Sequence, residues 1–284
     1  MSEKTLHLIR HAQGYHNLSL ESHGIRDPLL TPLGLQQCLT LSQEFPNIQN
    51  VDCIIASPMR RTLQTALNTF HAVLAAKPGL KIIALPHLQE TSTMPCDVGT
   101  SPSTLIQEFA GKPIDFFLVT DGWNDKIEGP YAPRADLVAR RVWKARKFLQ
   151  GREEKNIAVV THGGLLHYLT EDWVGSSSGV GTGWSNCEHR TYTFDTSSRS
   201  SIISATIAET QDSVARRIGH TMPLSCDEQL ELQSVAESSW AADGYITLPT
   251  AGTTLEYEQD DMLDVCTESR THESRGPIGI RSVL

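Results

Sequence analysis

The side chains best equipped for chemistry fall in four short stretches, each at the end of an apolar run. "IRHAQGYHN" (9–17) sets Arg10 beside His11 and adds Gln13, His16 and Asn17. "SPMRRTLQTA" (57–66) carries Arg60 and Arg61, "LPHLQET" (85–91) carries Glu90, and "VTHGG" (160–164) carries His162 ahead of two glycines. Two histidines and two or more arginines at three strand-to-helix junctions describe a pocket for a phosphoryl group. Guanidinium forks bind phosphate oxygens bidentately, so they neutralise and orient at once. A neutral imidazole can attack phosphorus to give a phosphohistidine, with the cations stabilising the charge. The departing alkoxide then needs a proton from a carboxyl held protonated nearby, and Glu90 offers one.

Other chemistries lack their residues. There is no G-x-x-x-x-G-K-[ST] phosphate loop and no H-E-x-x-H zinc motif. His11/His16 and His162/His167 are spaced by five, which does not align two ligands on one helix face, so neither a metal nor another cofactor is expected. "GSSSG" (175–179) formally matches the serine-hydrolase elbow, but no buried strand leads into it, which argues against a catalytic Ser177. The formal net charge of −9 and the sequence pI of 5.6 argue against a nucleic-acid partner. The start lacks a secretory signal, and no apolar run approaches the roughly 18 residues that span a bilayer. The six cysteines are far apart with no C-x-x-C pair and read as reduced thiols. A cytoplasmic enzyme acting on a small phosphorylated substrate is expected, with neither membrane nor nucleic acid as partner. Whether it is a monomer or a homodimer is left open.

These residues must be held by elements, and the pattern supplies them. Short apolar runs at 6–9, 53–56, 80–85, 157–160 and 190–194 read as strands. Helical periodicity covers 34–45, 60–75, 134–150, 165–173 and roughly 227–241, with Thr31–Pro32 as a start signal and Gly151 as a stop. Strands alternating with amphipathic helices imply an α/β domain with a mainly parallel sheet covered on both faces. Ligands in such folds bind beyond the carboxyl ends of the strands, where all four stretches lie. The glycines after His162 would let a ligand approach the backbone, and the helix they open would offer it free N–H groups.

One domain over 1–243 is expected, with a lid-like insertion at 91–132 and a polar, acidic tail at 244–284 that is loosely packed or disordered. Trp123 in the insertion and Asn186 before the last strand are candidates for a substrate pocket, as are Gln13 and His16. Cys96, Asp97 and Gly99 read either as pocket wall or as a structural turn. His167 reads as packing, and Arg216 and Arg217 as a solvated or salt-bridged helix face.

Taken together, the four stretches resemble the signature blocks of the histidine phosphatase (phosphoglycerate mutase-like) superfamily. "THGGLLHYLTEDW" and "DGWNDK" further resemble a fungal-type branch of small intracellular members. The resemblance implies a three-layer α/β/α sandwich and a covalent phosphohistidine. It makes His11 the nucleophile and Arg10, Arg61 and His162 the phosphate pocket, with Asn17 as a further polar pocket residue. Glu90 becomes the proton donor and later the base for water. Arg61 is preferred to Arg60 because it stands four residues after Ser57, as the family's arginine does. The chain departs from the family in placing Ala12 where the R-H-G block has glycine. It also lacks the mutases' sequence after the acid, which favours a phosphatase over a phosphoglycerate-type mutase. The R-H-G-x-R-x-P start and H-D donor of the acid-phosphatase branch are absent as well. A third expectation, from another class, is a phosphate- or phosphoprotein-binding module of negligible turnover.

Overall fold

A computed structural model describes residues 4–176, 182–197, 199–219 and 222–250. Its centre is a seven-stranded sheet of β1 (Thr5–Arg10), β2 (Cys53–Ala56), β3 (Ile82–Ala84), β4 (Ile114–Asp115), β5 (Asn156–Thr161), β6 (His189–Phe194) and β7 (Ile207–Glu209). The strand order is β4-β3-β2-β5-β1-β6-β7, and only β6 runs against its neighbours.

Side chains alternate across a strand, and here both faces are apolar. Leu6, Leu8, Cys53, Ile55, Ile157 and Val159 face one helical layer, formed by α5 (Ala135–Gly151), α6 (Gly163–Thr170) and α9 (Cys226–Ala242). Ile9, Ile54, Ala56, Ile82, Ala84, Ala158 and Val160 face the other, formed by α1 (Pro32–Glu44), α2 (Arg60–Thr69), α3 (His71–Ala76) and α4 (Pro102–Glu108). A sheet buried on both sides between helices is the expected three-layer α/β/α sandwich with a mainly parallel sheet. Each fully buried Leu, Ile or Val of these layers contributes roughly 1.5–3 kcal/mol of hydrophobic stabilisation. The short helices α7 (Arg199–Ser204) and α8 (Gln211–Ile218) flank β7.

Local chemistry sets several boundaries. Thr31 caps α1 by accepting the Gly34 N–H at 3.0 Å, with Pro32 in the first turn. The helix expected over 60–75 is divided at Phe70, which leaves helical geometry while its ring packs edge-on against Phe45. In α8, Arg217 pairs with Glu209, as expected of a salt-bridged face. Strand β4 has two residues, too few for any periodicity to show.

The chain does not loosen at 243. Ile246 is buried, Thr247 exchanges backbone hydrogen bonds with Pro133 and Ala135, and the Tyr245 N–H donates to Trp240. Residues 245–247 therefore pack on the body, anchored by one apolar side chain that the polar composition around it obscured. The acidic run 256–264 and Ser177 lie outside the described residues. Among the described residues, no helix is long and apolar enough to cross a membrane.

Candidate active site

The two histidines meet because β1 and β5 are parallel neighbours in register. Arg10 pairs with Thr161, so His11 and His162 are the next residue on each strand. The His11 N–H donates to the Thr161 carbonyl at 2.9 Å, and the two rings lie with centroids 5.2 Å apart. Ser57, the residue after β2, joins from the other side of β5, with its N–H on the Val160 carbonyl. Three adjacent strand ends thus bring Arg10–His11, His162 and Ser57 together; Arg10 and His11 line the cavity, while His162 and Ser57 are fully buried beside them. Arg61 follows from the first turn of α2.

The tautomers follow from their partners. His11 Nδ1 lies 2.7 Å from the Ala12 carbonyl, which can only accept, so Nδ1 carries the proton and Nε2 keeps its lone pair. Burial, with Arg61, His16 and Arg10 around it, holds the pKa of His11 well below the usual imidazole range. It is therefore a neutral imidazole with a free nitrogen. In His162 the pattern is reversed. Arg61 Nη2 donates to Nδ1 at 3.0 Å, leaving the proton on Nε2, which donates to Ser57 Oγ at 2.9 Å. Burial and Arg61 also depress the pKa of His162 strongly.

Arg61 is 1% exposed and fixed on three sides. It donates to the Cys96 carbonyl at 2.6 Å, to Asp97 Oδ1 at 2.8 Å and to His162. Asp97 is in turn held by Ser92 Oγ at 2.6 Å from its second oxygen. Arg10 donates to the Trp184 carbonyl. Both arginines keep a buried Nε without a partner, donors that an arriving anion would satisfy. Arg60 turns away and pairs with Glu108 at 2.6 Å, so the choice of Arg61 over its neighbour is the one the geometry supports.

Glu90 reaches the same cavity from the loop after β3, where Thr161 Oγ1 donates to the Leu88 carbonyl at 2.6 Å. Its carboxyl accepts the N–H groups of Thr91 at 2.9 Å, Gly164 at 3.0 Å and Leu165 at 2.9 Å. Burial and the nearby Asp97 raise its pKa, against the opposing pull of those N–H groups and Arg61. The expectation that a ligand would take the free N–H groups opening α6 is corrected here: Glu90 occupies two of them. A Cβ on Gly164 would lie 2.7 Å from Glu90 Oε1, so glycine is what lets the acid dock there. Lys126 and Arg141, both buried, donate to the Glu90 carbonyl and fix the backbone beneath it.

The remaining expected residues divide. His16, Asn17 and Asn186 line the cavity, and Asn186 Nδ2 donates to the His11 carbonyl at 3.0 Å. Gln13 does not line it. Its side chain accepts from Thr31 Oγ1 at 2.8 Å and serves the start of α1. Trp123 does not line it either, and the reading of it as pocket residue is corrected. The indole is 1% exposed, lies where a Cβ on Gly99 would be 2.2 Å away, and donates to the Thr100 carbonyl. A large apolar ring in a polar loop packs that loop down. His167 stacks on Trp173, in keeping with a packing role.

Ala12 answers its own question. It is absent from the positive-φ residues, its N–H donates to Thr65 Oγ1 at 3.0 Å, and its methyl packs beside Leu30 and Cys38. Alanine fits there without strain.

The cavity measures about 570 Å³, within the range of sites for whole small molecules and much larger than a phosphoryl group. Its outer wall includes His23, Ser239, Trp240, Asp243 and Tyr245, none of which the sequence singled out. The last four come from the end of α9 and the turn beyond it, where no motif marks them.

The buried histidines make stability depend on pH. His7, His11, His16, His162, His167 and His189 all have lowered pKa values, to about 4 for His7 and His189 and about 2 for His16, each mainly through burial. Below pH 6.5 the unfolded chain binds protons that the folded chain refuses, so stability falls with pH, by up to about 1.4 kcal/mol per unit for each such group. The thermal midpoint is expected to drop steeply between pH 6.5 and 5. Calorimetry should show protons taken up on unfolding in that window. A flat profile there would mean that these rings are protonated in the folded state.

The chain is similar to known proteins over most of the described body. The sequence model of the Histidine phosphatase superfamily (branch 1) matches residues 6–201. A "Phosphoglycerate mutase-like protein" of Arabidopsis thaliana is 34% identical over 203 residues, covering 58% of this chain and 73% of its own. A protein of Hydrogenobacter thermophilus named "Putative phosphoserine phosphatase 2" is 30% identical over 178 residues, covering 58% of this chain and 76% of its own. Among solved structures, a mycobacterial glucosyl-3-phosphoglycerate phosphatase bound to VO3 aligns with a TM-score of 0.43 at 16% identity, over 72% of this chain and 97% of that one.

Proposed function

The chain belongs to the histidine phosphatase superfamily and is a phosphoric monoester hydrolase, and from that premise we propose that it hydrolyses a small phosphorylated metabolite through a covalent phosphohistidine on His11. The observation that carries the proposal is the pairing of His11 Nδ1 with the Ala12 carbonyl in a site that keeps the ring neutral, which leaves Nε2 as the nucleophile. Arg10 and Arg61 take the phosphoryl oxygens with Asn17 as a further polar contact, and His162 joins them by turning its Nε2–H from Ser57 Oγ to a phosphoryl oxygen. His11 Nε2 attacks phosphorus, the bond to the alcohol oxygen breaks, and the protonated Glu90 gives that oxygen its proton. Water then enters. Glu90, now a carboxylate, takes a proton from it, the hydroxide attacks phosphorus, and the P–N bond breaks to free phosphate and neutral His11. Fixed guanidinium and imidazole donors supply the charge stabilisation, so the sequence of steps calls on no metal.

The test is where the phosphoryl group goes. Enzyme labelled with ³²P from a phosphorylated substrate, then freed of that substrate, is expected to lose its label to water as inorganic phosphate. An added acceptor alcohol should not change the product. Transfer of the label to the acceptor would instead make the protein a mutase, and absence of any label would make it a binding module.

A further inference from the structure

The cavity has two ends of different origin. The phosphate end is built by residues inside the family match at 6–201. Much of the far wall is built by Ser239, Trp240, Asp243 and Tyr245, which lie outside it. That wall is anchored. Tyr245 bonds back to Trp240, and Ile246 and Thr247 are held against the body beside α5.

From the nucleophile outward, one side of the cavity is a file of rings. His11 lies 5.2 Å from His16, His16 lies 6.5 Å from His23, and His23 meets Tyr245 nearly edge-on at 6.5 Å, all as centroid distances. His16 is held neutral by burial and by the two arginines. Among the described lining residues the only Lys or Arg side chains are Arg10 and Arg61, both committed to the phosphate end. The wall contributed by the end of α9 carries a carboxylate, Asp243, beside the Tyr245 phenol, whose pKa is pushed up by burial, then by Asp243, Cys96 and Asp97.

Among the described residues, a second negative charge on the substrate would therefore meet no Lys or Arg in the lining beyond the pair at the phosphate, and would meet a like charge at Asp243. A hydroxyl or an amine would meet acceptors and ring faces instead. Resting on the phosphatase reading above, we infer that the substrates are phosphomonoesters of uncharged or amine-bearing alcohols, and that Asp243 is a specificity-determining residue that selects against carboxylated ones.

Binding tests this without requiring turnover. In the full chain carrying His11→Ala, calorimetric titration compares three phosphomonoesters of similar size: ethanolamine phosphate with its amine, glycerol 3-phosphate with neutral hydroxyls, and 3-phosphoglycerate with its carboxylate. The first two are expected to bind at least about tenfold more tightly than the third. Adding Asp243→Lys at this exposed position should narrow that gap to about threefold or less, and Asp243→Asn should move it part of the way. Equal or tighter binding of 3-phosphoglycerate overturns the inference, as does a gap that Asp243→Lys leaves unchanged. The phosphatase reading fails separately, if the unsubstituted chain forms no phosphoenzyme.

Discussion

Substitution of His11 by alanine is expected to lower kcat by about 10⁴-fold or more while substrate still binds. Among the described residues, neither neighbouring imidazole is placed to replace it. His162 has its free nitrogen occupied by Arg61 and its N–H directed at Ser57. His16 has an unpartnered Nδ1, but its ring lies a further 5.2 Å from the His11 ring. The phosphate-binding donors do not depend on His11, since Arg61 is fixed by Cys96, Asp97 and His162. The loss should therefore fall on kcat, with the dissociation constant of a phosphomonoester changed by only a few fold. Single-turnover kinetics and calorimetry on one preparation separate the two. Retained hydrolysis would remove His11 from the mechanism.

The second large effect is at Glu90. Glu90→Gln removes the proton that the leaving oxygen needs and the base that water needs, and general acid–base catalysis is worth about 10²–10⁴-fold. For an alkyl phosphate, kcat is expected to fall by about 10³-fold. With p-nitrophenyl phosphate, whose phenolate departs without a proton, the first step survives and the second does not. A burst of nitrophenolate equal to the enzyme should precede slow turnover, which a merely structural defect would not produce. The raised pKa of Glu90 has a matching signature. The wild-type rate on alkyl phosphates should fall as pH rises through it, because the acid form is lost, and that limb should vanish in the variant. The amide leaves at least one of three N–H donors facing nitrogen, at a cost near 1 kcal/mol, visible as a modest fall in melting temperature.

Much of this was legible in the sequence because the phosphate end obeys a local rule. Arg10–His11, Ser57–Arg61 and His162 each follow an apolar strand directly, so strand pattern and chemistry coincide in a few residues. Glu90 follows one at a short distance. The parallel pairing of β1 with β5, which sets the two imidazoles side by side at a tilt, is a tertiary fact, but it was implied by the alternation of strands and helices. What stayed hidden depends on contacts distant in sequence. Asp97 was readable as pocket wall, and it does line the cavity, but its role in anchoring Arg61 from a turn 36 residues away shows only in the tertiary structure. Trp123 looked like a pocket aromatic, because a ring in a polar loop reads the same whether it packs inward or faces a substrate. The outer wall at 239–245 belongs to the end of α9 and the turn after it, whose pattern is ordinary, and nothing in it announces a cavity more than 200 residues from His11.

The mechanism rests on one covalent bond, so the most direct measurement is to find it. Wild-type enzyme mixed with a ³²P-labelled phosphomonoester, quenched within a turnover in alkali to preserve a phosphoramidate, digested and mapped by mass spectrometry is expected to carry its phosphoryl group on Nε2 of His11. The label should be absent from His11→Ala and should accumulate in Glu90→Gln. Label on His162, His16 or a serine, or rapid hydrolysis with no trapped phosphoenzyme, would contradict it.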